Sequence, residues 1–274
     1  MTKTKTKKSI SILGCGWLGL PLAEALVNDG FTVKGSTTTT DKCETLLTKN
    51  IQPYVLSIDD EIDGNLDHFL QSEILFINVP FRKQKPFLNA YKTLVKVLEK
   101  STIKHVIFIS STSVYSEING EVTEDMDIPL NPAKKDLIVF ENLFKNNPHF
   151  NTTIIRFAGL IGGTRNPGNF FKEDKIVQNA LTPVNLIHLE DCIGIVKAII
   201  KQQKWNTTYN AAASTHPTKA NYYKLATEQM DKKPAKFIEE LSSFKIVSNQ
   251  KLIDELNYQF IYPDLIEGLK AFKN

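Results

Sequence analysis

Short apolar runs rich in β-branched residues recur through the first 160 positions, at residues 10–13, 31–33, 53–56, 74–79, 105–109 and 153–156. Four of them are nearly continuous rather than alternating, as in strands buried on both faces, and they predict a parallel sheet covered by helices. The gaps carry helical spacing. The stretch 18–30 sets Leu18, Leu22, Ala25 and Leu26 on one face and ends at Gly30, a good helix stop. A second helix is predicted from an Asp41 cap. A third carries Phe87, Tyr91, Leu94, Val95 and Leu98 as a stripe, and a fourth, after Pro132, carries Leu137, Phe140 and Phe144. Strand and helix alternate from residue 10 to residue 158, which predicts an α/β fold of the Rossmann type, a doubly wound parallel sheet.

Beyond residue 158 the rhythm loosens. A Gly/Pro-rich stretch, GLIGGTRNPGNFFKED, precedes two amphipathic helices, in LEDCIGIVKAIIKQQ and TKANYYKLATEQMDKK. This predicts a basic tail over 1–8, a dinucleotide-binding core over 9–160 and a mixed part over 161–274. The last contains a small C-terminal α/β lobe, expected over the carboxyl edge of the sheet. With 42% hydrophobic residues the chain can fill a core without disulfide or metal staples. Its net charge of +3 owes much to the opening MTKTKTKK, so the near-neutral remainder offers no nucleic-acid footprint. No apolar run approaches the roughly 18 residues of a membrane span, and the opening lacks the apolar core of a secretory signal. Cys15, Cys43 and Cys192 form an odd set without a C-x-x-C pair, which suits free thiols in a cytoplasmic protein. The histidines show no metal-ligand spacing, and G-x-S-x-G, the mark of many hydrolases, is absent.

The sharpest motif is ISILGCGWLGL, where Gly14, Gly16 and Gly19 make G-x-G-x-x-G between a strand pattern and a helix pattern. That context is the one a dinucleotide cradle needs. Gly14 permits the tight turn, Gly16 lets the backbone approach a pyrophosphate, and Gly19 lets the helix pack on the strand. The helix start, at Trp17 and Leu18, turns N–H groups and a positive dipole end toward the phosphates. About twenty residues on, where a carboxylate holds the ribose of NAD, the chain reads VKGSTTTT, with no acid before Asp41. Ser36, Thr37 and Thr38 can donate to a 2′-phosphate, with Lys34 or Lys42 as the charge. NADP is therefore expected, with NAD as the alternative. Val79 and Pro80, closing INVPF, are expected against the cofactor's adenosine or ribose.

These segments together resemble the short-chain dehydrogenase/reductase superfamily, in its extended, epimerase/dehydratase-like branch. HVIFISSTSVYS is similar to that family's fifth strand and its S-S-x-x-V-Y-G segment. IIRFAGLIGG resembles the sixth-strand R-x-x-x-x-Y-G, with Ile161 in place of tyrosine. NLIHLEDCIGIVKAII resembles the I-H-V-x-D segment before a late helix. The resemblance implies the fold above, a nicotinamide cofactor and, from Y-x-x-x-K, a tyrosine acid/base assisted by lysine. Two departures stand out. The glycines are spaced more tightly than is usual in the extended branch. Ala133 and Leu137 hold the tyrosine and lysine positions, with Glu141 at the trailing acid, and none of the eight tyrosines has a lysine four residues later.

What the resemblance leaves for chemistry is Ser111 as the substrate-positioning hydroxyl, Ser110 toward the cofactor, and Tyr115 as a substitute proton donor. Arg165 and His188 are expected on the substrate side. No metal is expected. The first reading is an oxidoreductase or epimerase-like enzyme acting on a small molecule other than a nucleotide sugar. The alternative is a non-catalytic NADP(H)-responsive sensor or scaffold. A homodimer is compatible with either.

Overall fold

The computed structural model describes residues 8–80, 85–126 and 135–272. In chain order its elements are β1 (Ser9–Leu13), α1 (Gly19–Asn28), β2 (Thr32–Thr37), α2 (Cys43–Thr48), β3 (Gln52–Val55), β4 (Ser57–Ile58), β5 (Ile62–Asp63), α3 (Leu66–Phe69), β6 (Ile74–Ile77), α4 (Lys85–Leu98), β7 (His105–Ser111) and β8 (Gly120–Val122). There follow α5 (Lys135–Lys145), β9 (Asn151–Phe157), β10 (Gly159–Ile161), β11 (Ile176–Val177), β12 (Leu186–His188), α6 (Leu189–Gln202), β13 (Thr208–Ala211), α7 (Lys219–Glu228), β14 (Lys236–Phe237), β15 (Lys245–Val247), α8 (Gln250–Leu256) and α9 (Leu265–Gly268).

Seven strands form one parallel sheet in the order β13-β9-β7-β6-β1-β2-β3. The chain starts at β1, runs outward through β2 and β3, then crosses back to β6 on the other side of β1. That reversal makes the sheet doubly wound and puts its topological switch between β1 and β6. Register is parallel on both sides of β1, with Ile12 opposite Gly35 of β2 and Phe76 of β6. The Rossmann-type α/β sheet expected from the pattern is thus present. Small two-stranded sheets, β10 with β12, β11 with β14 and β15 with β8, accompany the later part of the chain.

The chain divides into two compact units, of which the described residues are those given above. The first takes in Met1–Ser110, Ala133–Ile155 and Ile199–Thr208, the second Ser111–Pro132, Arg156–Ala198 and Tyr209–Asn274. The first has the larger apolar core. The α4 stripe Phe87, Tyr91, Leu94, Val95 and Leu98 is buried against β6 and β7, and Tyr91 meets Phe108, Phe140 and Phe144 edge-on. In the same unit His105 stacks on Trp205, with ring centres 4.1 Å apart. The second unit has its own cluster around Ile161, Leu186, Tyr222, Tyr223 and Leu265.

Two local expectations need correction. β2 runs on through Lys34, Gly35, Ser36 and Thr37, because pairing with β1 and β3 on both sides outweighs the polar composition there. Asp41 does not cap the second helix. It lies inside a 3₁₀ turn, Thr40–Lys42, and α2 starts at Cys43 without a side-chain cap. The opening residues 1–7, Pro132 and Ala133 lie outside the described residues.

Candidate functional site

The glycine turn leaves β1 and enters α1, and each glycine has a different reason to be one. Gly14 has φ +102°, and a Cβ there would lie 2.7 Å from the carbonyl oxygen of Asn78. At Gly19 a Cβ would lie 2.1 Å from the carbonyl oxygen of Gly14, so the start of α1 can press against the turn only without one. A Cβ on Gly16 would meet nothing within 4 Å. Fold and packing demand the first and third glycines and leave the second unexplained. Leu18, the N-cap of α1, is buried and offers no side-chain cap, and Trp17 beside it is half-buried. The leading N–H groups of a ten-residue helix are therefore met by no cap side chain. A cradle that a Cβ would fill, facing an uncapped helix start, fits a pyrophosphate. Cys15 in the same turn is no nucleophile: burial pushes its thiol up to about 12, so it stays protonated.

The neighbouring strand ends complete this region of the first unit. Ser36 points inward: its Oγ accepts the Gly14 N–H at 2.8 Å, and its carbonyl accepts the Cys15 N–H at 2.9 Å. This hydroxyl thus accepts one bond within the turn and keeps its hydrogen, and at 2% exposure it is covered by the turn it holds. Lys34 is corrected. Its Nζ donates to the carbonyls of His68 and, at 2.9 Å, Gln71, and burial lowers its pKa. Alternation along β2 sends this side chain to the end of α3, where bare carbonyls take the charge. Thr37 is buried, whereas Thr38 and Lys42 are exposed. Val79 is half-buried and Pro80 exposed at the end of β6. Asn78, to which no sequence motif points, donates from Nδ2 to the Gly14 carbonyl at 3.4 Å.

Ser110, also in the first unit, is buried and donates to Glu141 Oε1 at 2.5 Å. That bond ties the hydroxyl to α5. Leu137 is buried on the same helix.

In the second unit, Ser111 closes β7 and caps a 3₁₀ turn, its Oγ accepting the Ser113 N–H at 3.1 Å. Tyr115 is 1% exposed. Its hydroxyl donates to Asn210 Oδ1 at 2.7 Å and accepts from Arg156 Nη1 at 2.8 Å, while the guanidinium lies over its ring. Burial raises the phenol's pKa, outweighing the nearby Arg156 charge. The Asn210 N–H donates to Glu124 Oε1 at 2.6 Å, and burial raises that carboxyl too. Tyr115 is thus a member of a buried polar network, with its hydroxyl donating to one partner and accepting from another. Nothing in the sequence pairs Asn210 or Glu124 with it, and only the Arg156 match to the sixth-strand motif hints at the network.

His188 is buried between Tyr262, at 4.0 Å between ring centres, and Phe272, and its Nδ1 accepts the Glu190 N–H at 3.3 Å. A Cβ on Gly162 would lie 2.8 Å from its Nε2. Burial lowers its pKa, so the ring is neutral and structural. Arg165 is exposed on a tight turn closed by reciprocal backbone bonds with Gly162, which sets it near the His188 segment. Asp191, next along, accepts from the N–H groups of Ile261 and Tyr262 and from the Tyr258 hydroxyl. The I-H-x-x-D segment therefore fastens the C-terminal strap of this unit. Among the described residues no group of three or more His, Cys, Asp or Glu could hold a metal, and no helix is long and apolar enough to cross a membrane.

Comparison with known proteins agrees with this geometry. A family model for the NAD binding domain of 6-phosphogluconate dehydrogenase matches residues 9–127. In fold, the chain is similar to a functionally unknown conserved protein from Silicibacter pomeroyi, with a TM-score of 0.81 and 20% identity over 97% of this chain and 98% of that one. It is also similar to UDP-glucuronic acid 4-epimerase from Bacillus cereus in complex with NAD, at TM-score 0.78 and 19% identity over 96% of each chain. A short-chain dehydrogenase/reductase superfamily protein from Agrobacterium tumefaciens with bound NAD follows at TM-score 0.74 and 16% identity, over 96% of this chain and 97% of that one. These likenesses are of fold, that of the epimerase/dehydratase-type Rossmann proteins. In sequence, Protein YeeZ of Escherichia coli (strain K12) is 35% identical over 269 residues, spanning 94% of this chain and 97% of that protein. The chain belongs to the YeeZ family, with an NAD(P)-binding Rossmann domain as its core.

Proposed function

We propose that the chain binds a nicotinamide dinucleotide at the glycine turn, NADP(H) in preference to NAD(H), and acts as an epimerase/dehydratase-like oxidoreductase on a small molecule. One observation carries the binding: Gly16 is a glycine that the protein itself does not require. A bare main chain where side-chain space is open suits a phosphate that must come within hydrogen-bond reach. The preference for NADP(H) rests on the end of β2. Between Thr32 and Asp41 there is no carboxylate to hold a ribose 2′-hydroxyl, Lys34 is engaged elsewhere, and Thr38 and Lys42 are exposed there for a 2′-phosphate.

When bound, the nicotinamide supplies hydride transfer. The chain's part is to hold the substrate oxygen and manage its proton. Ser111 is suited to hold that oxygen, because its Oγ accepts one bond and keeps its own hydrogen to donate. Tyr115 is engaged on both sides, so the proton taken up when a carbonyl is reduced is supplied by water. A second reading, a nucleotide-responsive sensor, is favoured by that same engagement and by Leu137 in the lysine's place.

Calorimetric titration of the purified chain with NADP⁺ and NAD⁺ tests the binding, and absence of heat with both ends the proposal. A panel of carbonyl compounds with NADPH separates the two readings. Oxidation of NADPH that Ser111→Ala abolishes supports the enzyme, whereas tight binding without turnover across the panel supports the sensor.

A further inference from the structure

We infer that Ser36 and Asn78 are cofactor-positioning residues that clamp Gly14 from the two strands flanking β1. The inference rests on the nucleotide reading above and adds which groups set the turn. β1 lies between β2 and β6 in the sheet. From β2, Ser36 Oγ takes the Gly14 N–H at 2.8 Å, and the Ser36 carbonyl takes the Cys15 N–H at 2.9 Å. From the end of β6, Asn78 Nδ2 reaches the Gly14 carbonyl at 3.4 Å, and the Asn78 N–H donates to the Leu13 carbonyl at 2.9 Å. Both polar backbone groups of Gly14 are thus held by side chains, one from each neighbour. Ser36 is 2% exposed, so solvent does not compete for its bond.

Two consequences bear on ligand binding. The N–H groups of Gly14 and Cys15 are already engaged, so donors for a pyrophosphate begin at Gly16. The turn is also fixed before any ligand arrives, which spares the ligand the entropic cost of ordering it. Ser36 sits where a 2′-phosphate contact is expected from sequence, yet this geometry makes it serve NAD and NADP alike.

The test compares Ser36→Ala, Ser36→Thr and Asn78→Ala with the natural chain by calorimetry, using NADP⁺, NAD⁺ and 2′-AMP, which carries the 2′-phosphate but no pyrophosphate. Ser36→Ala is expected to weaken both dinucleotides by the same factor, about tenfold for one lost buried hydrogen bond. Binding of 2′-AMP stays unchanged, and Ser36→Thr recovers most of the loss. Asn78→Ala, with a longer bond to lose, weakens both about threefold. It also tests the clamp independently should Ser36→Ala fail to fold. Without nucleotide, hydrogen exchange of the amides of residues 14–17 is expected to quicken in both alanine variants, while the thermal midpoint falls by only a few degrees, about 2–4 °C. A loss confined to NADP⁺ and 2′-AMP would move Ser36 to the 2′-phosphate and overturn the clamp. Unchanged affinities and exchange would overturn it as well. If the natural chain binds neither dinucleotide, the nucleotide reading itself falls, a result distinct from variants that match a natural chain that does bind.

Discussion

Gly16 separates what the fold needs from what a ligand needs. Gly16→Ala meets only open space, so stability is expected to change by no more than about 0.5 kcal/mol. Affinity for NADP⁺ or NAD⁺ is expected to fall at least about tenfold, which calorimetry reads directly. Gly19→Ala does the reverse in kind: its methyl would run into the Gly14 carbonyl, and chemical denaturation is expected to show a cost of about 2–3 kcal/mol. His188 supplies a pH prediction. Burial holds its folded pKa below the ordinary 6.5, so the unfolded chain takes up a proton first as pH falls. The contribution is complete above 6.5 and is lost as pH drops from there toward the folded value. His105 and His216 are shifted in the same direction and add to the slope. Urea midpoints measured from pH 7.5 down to 5.5 are expected to decline, less steeply in His188→Gln. At this scale the glycine spacing was legible because its logic is local. Lys34 and Tyr115 were not, because their partners His68, Gln71, Arg156 and Asn210 lie 34 to 95 residues away.

Helix α5 carries an apolar stripe and one member of a polar pair. Its apolar stripe, Leu137, Phe140 and Phe144, is buried as its spacing predicts, and Glu141 pairs with Ser110 instead of facing solvent. Placing at Leu137 the lysine that the short-chain dehydrogenase/reductase resemblance implies there would put an ammonium where 6% of the residue is exposed, and a loss of about 2–4 kcal/mol in denaturation is expected. The end of β2 makes a complementary prediction. Lys42→Ala is expected to weaken NADP⁺ several-fold, as befits one exposed charge on a phosphate, and to leave NAD⁺ unchanged. Equal effects on both would place the 2′-phosphate elsewhere. Strands such as β6 and β7 were readable as continuous apolar runs. The full length of β2 was not, since strand pairing and not composition carries it through Lys34–Thr37.

For the molecule as a whole, the alternation of strand and helix was enough to foresee the doubly wound sheet, because each element must bury one face against the next. The second unit was harder to read. Its short strands β10, β12 and β15 carry three residues each, too few for a period to register. What holds them are long-range bonds such as Asn185 to Lys245 and Val247. A ligand that binds only the folded chain adds to its stability by mass action, about 2.7 kcal/mol at a hundred times its dissociation constant. NADP⁺ is therefore expected to raise the thermal midpoint in a concentration-dependent way, and a midpoint indifferent to both dinucleotides would count against binding. The chain also carries its own optical reporter. Its two tryptophans are Trp17, half-buried between Gly16 and Gly19, and Trp205, stacked on His105. With Trp205 replaced by phenylalanine, indole emission comes from the glycine turn alone, so occupancy there can be followed as a change in fluorescence without any label.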